Sequence, residues 1–183
     1  TLARLSVDYP MLFQLSGNDG KTTHSGVLEF SAEEGCVYAP EWILRDNLRV
    51  ADGGLITVTN ISLPKAEFCL LQPQSAAFVY ELSNAKAVLE NELRGFSCVT
   101  AGDTIPISYN NKVYSILIQE VKPSPAACII ETDCRVEFTE APDAAEYEAK
   151  HVNNQAAAPA MEAPPMDVAA DDDDDEEDKK PAG

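Results

Sequence analysis

Apolar and polar residues alternate in several short segments of the first half of the chain, a spacing typical of β-strands with one buried face. The segment MLFQLS is followed by the turn GNDG and by a longer segment, THSGVLEFSAEEGCVYAP. This order predicts strand, turn, strand, turn and strand, and LITVTNISLP adds a strand rich in β-branched residues. The apolar residues expected in the second and third of these strands are Val27, Leu28, Phe30, Val37 and Tyr38.

The segment PEWILRDNLRV, between the third and fourth predicted strands, has the spacing of a short helix. Pro40 suits a first helical turn, where a backbone N–H has no partner within the helix. The spacing predicts that Trp42, Ile43 and Leu48 face inward.

A longer helix is predicted over residues 84–94. Ser83 or Asn84 can cap its first turn, and Gly95 is expected to end it. One buried face follows from the i, i+3, i+4 spacing of its apolar residues, which are Ala85, Val88, Leu89 and Leu93.

The remainder of the second half predicts strands again. DTIPISYNNKVYSILIQEVKP has the pattern of a hairpin, because Asn110 and Asn111 tolerate the left-handed backbone of a two-residue turn. ACIIETDCRVEF predicts one or two further strands. The stretch FCLLQPQSAAF has a hinge-like composition, and Pro73 within it lacks a backbone donor. We therefore place a boundary between two subdomains near Pro73.

The chain has 183 residues and a formal net charge of −18. Residues 139–183 carry 14 acidic and 3 basic residues, and include the run DDDDDEED at 171–178. Both parts of the chain are acidic, so a nucleic-acid backbone is a poor partner for either. No apolar run approaches the roughly 18 residues of a membrane span. The Ala-, Pro- and acid-rich segment cannot form a core and is predicted to be disordered.

Cys98 is the first residue to consider for catalysis, because a cysteine hydrolase pairs a thiolate with a base such as histidine. The only histidine before the tail is His24, and no catalytic signature flanks either residue. We therefore expect Cys98 to be a small buried residue beside Phe96 and Val99. The scattered cysteines give no metal-ligand spacing either: Cys128 and Cys134 stand six apart without a neighbouring histidine.

Several long stretches resemble the amino-terminal domain of the ubiquitin fusion degradation protein 1 family. They occur in the order VDYPMLFQL, HSGVLEFSAEEGCVYAPEW, LQPQSAAF, NAKAVLENELRGFSCVTAGDTIPISYNNKVY and IIETD, and together they extend over about residues 1–140. The resemblance implies a mostly β, α+β fold. An incomplete double-psi β-barrel would occupy residues 1–72, a small α+β roll residues 73–140 and a disordered acidic tail residues 141–183.

The resemblance also implies a function. Members of the family are adaptors without catalytic activity or cofactor. They bind ubiquitin and polyubiquitin chains, pair with the nuclear protein localisation 4 protein and bring clients to the valosin-containing AAA ATPase. Cytoplasm and nucleus, with the cytosolic face of the endoplasmic reticulum, are the expected locations.

The chain departs from the family pattern at both ends. Family members carry further residues ahead of LSVDYP that supply the first barrel strands, so we expect this barrel to be incomplete. No Phe is followed two residues later by Gly, so the F-x-G boxes that contact the ATPase are not recognisable.

A ubiquitin-binding surface is expected near the junction of the subdomains, where crevices commonly form sites. The residues that we predict for it are Phe68, Leu70, Leu71 and Phe78; the alternative is that all four pack in the core. Two other functions stay open from the residues alone. The acidic run can hold basic clients, and Cys98 with His24 can belong to a hydrolase of ubiquitin conjugates.

Overall fold

The computed structural model describes residues 9–155, and the side chains of residues 9–150. Within that range the chain is mostly β, with few helices and several sheets. The strands are β1 Leu12–Ser16, β2 Thr22–Gly26, β3 Thr57–Ile61, β4 Phe68–Pro73, β5 Cys98–Thr100, β6 Thr104–Tyr109, β7 Lys112–Lys122, β8 Ala126–Cys128 and β9 Arg135–Phe138. The α-helices are α1 Ala77–Glu81, α2 Ala85–Leu93 and α3 Ala144–Gln155, and a π-helical segment runs over Trp42–Asn47.

The first half forms a three-stranded antiparallel sheet in the order β2-β1-β3. The predictions of β1 and β3 are confirmed. The second strand is shifted, because Gly26 pairs with Leu12 at the start of β1 and the residues that follow have no partner strand there. Residues 27–41 therefore carry no strand, and the expected strands through Val27, Leu28, Phe30, Val37 and Tyr38 are wrong.

The predicted short helix is present but is wound as a π-helix. The Leu48 N–H donates to the Ile43 carbonyl, five residues earlier, at 3.0 Å. Ile43 and Leu48 are buried as expected, and Trp42 is partly buried against Phe96 with the two ring centroids 5.8 Å apart. The widened turn brings Asn47 inward as well, where it contacts the second half of the chain.

The second half is built on a four-stranded sheet in the order β6-β7-β4-β9. The predicted hairpin is confirmed, with Asn110 and Asn111 at φ 48° and 60° in the turn between β6 and β7. ACIIETDCRVEF supplies β8 and β9, also as expected. The hinge-like stretch contains β4, which pairs antiparallel with β7 and parallel with β9. The division at 72/73, with its subdomains 1–72 and 73–140, stays a prediction, as does the double-psi topology.

Helix α2 covers the inner face of this sheet. Asn84 caps it by accepting a hydrogen bond from the Ala87 N–H at 3.0 Å. Ala85, Leu89 and Leu93 are buried as predicted, and Val88 packs partly against the same core. That core is filled from the sheet by Leu71, Ile105, Ile107, Ile116 and Ile118.

Residues 141–155 do not follow the prediction of a structureless tail, because α3 packs against α1. Tyr147 stacks on Tyr80 with the ring centroids 5.1 Å apart, and the Tyr80 hydroxyl donates to Glu148. Asp143 accepts a hydrogen bond from the Ala76 N–H at 2.6 Å. The predicted disorder of the remaining tail, including the acidic run 171–178, lies outside the described residues.

Candidate functional site: the outer face of strand β4

The four residues predicted to bind ubiquitin divide between the two faces of β4 and the helix that follows it. Side chains along a strand alternate between faces, and those of β4 alternate between partly exposed and buried positions. Leu71 on β4 and Phe78 on α1 point into the core and are each 0% exposed. Phe68 and Leu70 point to the opposite face and are partly exposed. Two of the four residues therefore reach the surface together.

Phe68 lies between two cations. Its neighbours in the sheet are Lys122 on β7 and Arg135 on β9. The Lys122 Nζ lies 5.3 Å and the Arg135 Cζ 5.0 Å from the centre of the Phe68 ring. Both distances are within the range of a cation–π contact, so the ring is held in place by charges that remain in water.

Leu70 lies between two acids in the same way. Its partners in the sheet are Glu120 on β7 and Glu137 on β9. Each acid pairs with the cation next along its strand, at 3.2 Å for Lys122–Glu120 and 3.5 Å for Arg135–Glu137. Charges of both signs therefore border the apolar pair on two sides.

Amide groups continue the surface along β4. The Gln119 Nε2 donates to the Gln72 Oε1 at 3.0 Å, and the Gln72 Nε2 donates to the Glu140 carbonyl at 3.0 Å. Gln119 lies at a β-bulge, where the register between β4 and β7 shifts. Leu117, partly exposed, lies opposite Gln72. We call the surface formed by Phe68, Leu70, Gln72 and Leu117 the β4 outer face.

An apolar centre inside a charged and amide border is suited to docking a folded partner. The surface is small and open, so one copy of a partner would bind weakly. Phe68, Leu70, Gln72 and Leu117 supply neither a nucleophile nor an imidazole.

Cys98 and His24 lie on the neighbouring strands β5 and β2, and no hydrogen bond between their side chains is seen. Cys98 is 6% exposed and packs with Leu12 and Cys128. Burial, followed by the nearby Cys128 and Asp103, raises the pKa of the Cys98 thiol to about 12. The His24 Nδ1 instead shares a hydrogen bond of 2.9 Å with the Thr100 hydroxyl. A thiol that stays protonated at neutral pH is a poor nucleophile, so Cys98 behaves as the small buried residue that we expected.

Besides the His24–Thr100 hydrogen bond, Thr23 on β2 and Asn47 in the π-helical segment make polar contacts with the second half. The Thr23 hydroxyl donates to the Asp103 carboxylate, and both side chains are buried. Asn47 bonds both backbone groups of Thr104, accepting from its N–H at 2.8 Å and donating to its carbonyl at 3.2 Å. Burial raises the pKa of Asp103 to about 6, partly offset by the Thr23 hydrogen bond and Lys21.

Within residues 9–155, no group of three or more His, Cys, Asp or Glu side chains is arranged to hold a metal ion. None of the helices in the same range has both the length and the apolar character needed to cross a bilayer.

The sequence analysis missed several exposed apolar side chains on the loop after β2. Leu28 is 99%, Phe30 65% and Tyr38 77% exposed. Exposed apolar side chains are typical of interaction surfaces where they form a contiguous patch. The only sequence signal was the alternation that we interpreted as two strands, so these side chains were assigned to the core.

Comparisons with known proteins match residues 1–141 of the chain. Sequence models described as "Ubiquitin fusion degradation protein UFD1, N-terminal subdomain 1" and "N-terminal subdomain 2" match residues 1–64 and 65–141. The two models thus meet between residues 64 and 65, ahead of β4, whereas we placed the boundary near Pro73.

Individual relatives are similar over the same part. The human "Ubiquitin recognition factor in ER-associated degradation protein 1" is 48% identical over 138 residues, which is 75% of this chain and 44% of that protein. The Saccharomyces cerevisiae "Ubiquitin fusion degradation protein 1" is 48% identical over 141 residues, covering 75% of this chain and 38% of that protein. A Dictyostelium discoideum "Ubiquitin fusion degradation protein 1 homolog" is 45% identical over 146 residues, which is 79% of this chain and 44% of that protein.

The chain thus spans less than half the length of the curated relatives that it matches. The matched segment is nevertheless continuous, and it includes every strand of both larger sheets. This chain belongs to the ubiquitin fusion degradation protein 1 family.

Proposed function

We propose that this protein is a non-catalytic adaptor that binds ubiquitin chains and helps to deliver ubiquitin-tagged proteins for degradation. The observation that carries the proposal is the family match over residues 1–141, together with mammalian relatives named as ubiquitin recognition factors in ER-associated degradation. The buried, protonated Cys98 is in keeping with a role in which no bond is made or broken.

The β4 outer face is our candidate for the ubiquitin-binding surface, with Phe68 and Leu70 as its apolar contacts. Burying two partly exposed apolar side chains gives a modest binding energy, since each Å² removed from water contributes about 25 cal/mol. A chain of ubiquitins strengthens such a weak contact, because the second copy is held at high effective concentration. Leu71 and Phe78 would act indirectly, by fixing the strand from its inner side.

The remaining parts of the proposal concern partners. The nuclear protein localisation 4 protein would be the adaptor's companion, and the valosin-containing AAA ATPase would unfold its clients. Such work belongs to the cytoplasm and nucleus, including the cytosolic face of the endoplasmic reticulum. A double-psi barrel in the first subdomain is part of the same proposal.

A titration of the fluorescently labelled full chain with tetraubiquitin and with monomeric ubiquitin tests the proposal. We expect tetraubiquitin to bind at micromolar concentration and monomeric ubiquitin to bind at least about tenfold more weakly. The double variant Phe68→Ala/Leu70→Ala should weaken binding by about tenfold, the size of a moderate interface contact. Leu28→Ala is the matched control, because it removes an exposed leucine of the loop after β2.

Two results would contradict parts of the proposal differently. If neither ubiquitin species binds a correctly folded sample, ubiquitin recognition is wrong for this chain. If tetraubiquitin binds and Leu28→Ala weakens it while Phe68→Ala/Leu70→Ala does not, the function stands and the surface is the loop after β2. Circular dichroism of each variant verifies that folding is intact.

The acidic run 171–178 favours a second candidate function, the binding of basic client proteins. Deleting residues 171–178 should then abolish salt-dependent binding to a basic protein such as a histone. If binding to the basic protein is unchanged after the deletion, the acidic run does not have this second function.

A further inference from the structure

Two cysteines of the second half lie in contact outside the β4 outer face. The Sγ atoms of Cys69 and Cys134 are 3.2 Å apart, and both thiols are free. Cys69 lies on the inner side of β4 and is 0% exposed. Cys134 directly precedes β9, the parallel neighbour of β4. Neither thiol has a role in the proposed ubiquitin-binding surface.

Cys134 is also reached from solvent. It lines an open groove of about 390 Å³ between the end of α2 and the segment before β9. Arg94 and Arg135 line this groove together with Glu90 and Asp133, so its charges are mixed. The groove is larger than a small neutral oxidant needs, and Cys134 is partly exposed to it.

The contact makes the two sulfurs chemically unequal. The hydrogen bond between the two thiols lowers the pKa of Cys134, whereas the same hydrogen bond, together with burial, raises the pKa of Cys69. The more accessible sulfur is thus the one that ionises first, which is the arrangement of an attacking thiol beside a resolving thiol.

We propose that Cys134 and Cys69 form a modification site, a dithiol that hydrogen peroxide closes to an intramolecular disulfide. The Cys134 thiolate attacks one peroxide oxygen and breaks the O–O bond, which gives Cys134 sulfenic acid and, with one proton, water. The Cys69 thiol then attacks the Cys134 sulfur, loses its proton and displaces the hydroxyl as a second water. The two thiols are oxidised by two electrons, and one peroxide is reduced to two waters.

The fold brings the sulfurs close before any oxidation. A disulfide bond is about 2.0 Å long, so the sulfurs need to approach by only about 1 Å. The two strands next to these sulfurs, β4 and β9, are already paired, with Phe68 opposite Arg135 and Cys69 opposite Val136.

A second pair of cysteines provides an internal comparison. Cys98 and Cys128 face each other across β5 and β8, but both are buried, at 6% and 3% exposure. Cys36 is exposed and belongs to neither pair. If proximity alone governed oxidation, both pairs would react; if access to one sulfur is also needed, only Cys69–Cys134 reacts.

The experiment uses the reduced, folded full chain. It is treated with hydrogen peroxide, its remaining thiols are blocked with N-ethylmaleimide, and peptides are mapped by mass spectrometry without reduction. We expect the loss of two reactive thiols and a crosslinked peptide containing Cys69 and Cys134, both reversed by a reducing agent. In Cys69→Ser, Cys134 should instead accumulate sulfenic acid that dimedone traps; Cys36→Ser should leave the crosslink unchanged.

The peptide map of the peroxide-treated wild type tests the proposal on its own, even if Cys69→Ser does not fold. Peroxide that oxidises Cys36 without producing a Cys69–Cys134 crosslink would overturn the proposal. So would equal crosslinking of Cys98–Cys128, because access through the groove would then play no part. A failure of ubiquitin binding leaves this outcome untouched, since the two assays have separate readouts.

Discussion

Asp103 gives the sharpest test of the structural reasoning, through the substitution Asp103→Asn. The carboxylate is buried and accepts a hydrogen bond from the Thr23 hydroxyl. An asparagine oxygen accepts the same hydrogen bond and carries no charge. The substitution therefore keeps the contact and removes the cost of burying a charge.

The magnitude follows from the pKa of Asp103, which burial raises from 3.8 to about 6. Ionising this carboxyl in the folded protein consequently costs up to about 3 kcal/mol more than in the unfolded chain. A raised carboxyl pKa means that the folded state binds more protons between pH 3.8 and 6, so the free energy of unfolding falls as pH rises through that window. We expect Asp103→Asn to be the more stable protein at pH 7.5, and about 2 kcal/mol of its advantage to be lost by pH 4.5.

Urea unfolding of the wild type and of Asp103→Asn at several pH values between 4.5 and 7.5 measures this difference. Asp52→Asn, in an exposed turn, controls for the change in net charge. The reasoning is refuted if the difference in free energy of unfolding between wild type and Asp103→Asn does not vary with pH. It is refuted equally if Asp103→Asn is the less stable protein at pH 7.5.

Two further predictions concern helix ends. Asn84→Ala removes the acceptor for the Ala87 N–H and should lower the free energy of unfolding by about 1 kcal/mol. Asn84→Asp should largely restore this stability, because its carboxylate can accept the same hydrogen bond. Urea denaturation measures both variants, and no loss in Asn84→Ala would mean that the cap is not stabilising. Asp143→Ala removes the carboxylate that accepts from the Ala76 N–H and the Ser75 hydroxyl, so backbone amides of α3 should exchange hydrogen faster while those of β7 do not. Glu146→Ala, on the exposed side of α3, is the control for this exchange measurement; equal effects of the two variants would rule out a docking role for Asp143.

Local signals predicted much of the second half of the chain. The cap at Asn84, the spacing of Ala85, Leu89 and Leu93, and the paired asparagines of the hairpin each act within a few residues. Such interactions are encoded in neighbouring positions, and the structure confirms them.

Non-local pairing accounts for what failed. Leu28 and Phe30 have the alternation of a strand, but β1 begins at Leu12, opposite Gly26, and offers them no partner. Pro73 is the last residue of a strand held by β7, and the subdomain division that we placed near it stays a prediction. On the β4 outer face, alternation along the strand separates Phe68 and Leu70 from the buried Leu71. Composition alone gave no indication of which face would be outward.

The position of β4 between β7 and β9 has a consequence for the synthesis of the protein. Its antiparallel partner is reached only at Lys112–Lys122, and its parallel partner only at Arg135–Phe138. Until the ribosome has released Lys112–Lys122, both hydrogen-bonding edges of β4 are bare, and unpaired edges invite association with other chains. Nascent chains stalled before β9 should therefore depend on chaperones more than chains that include β9 do.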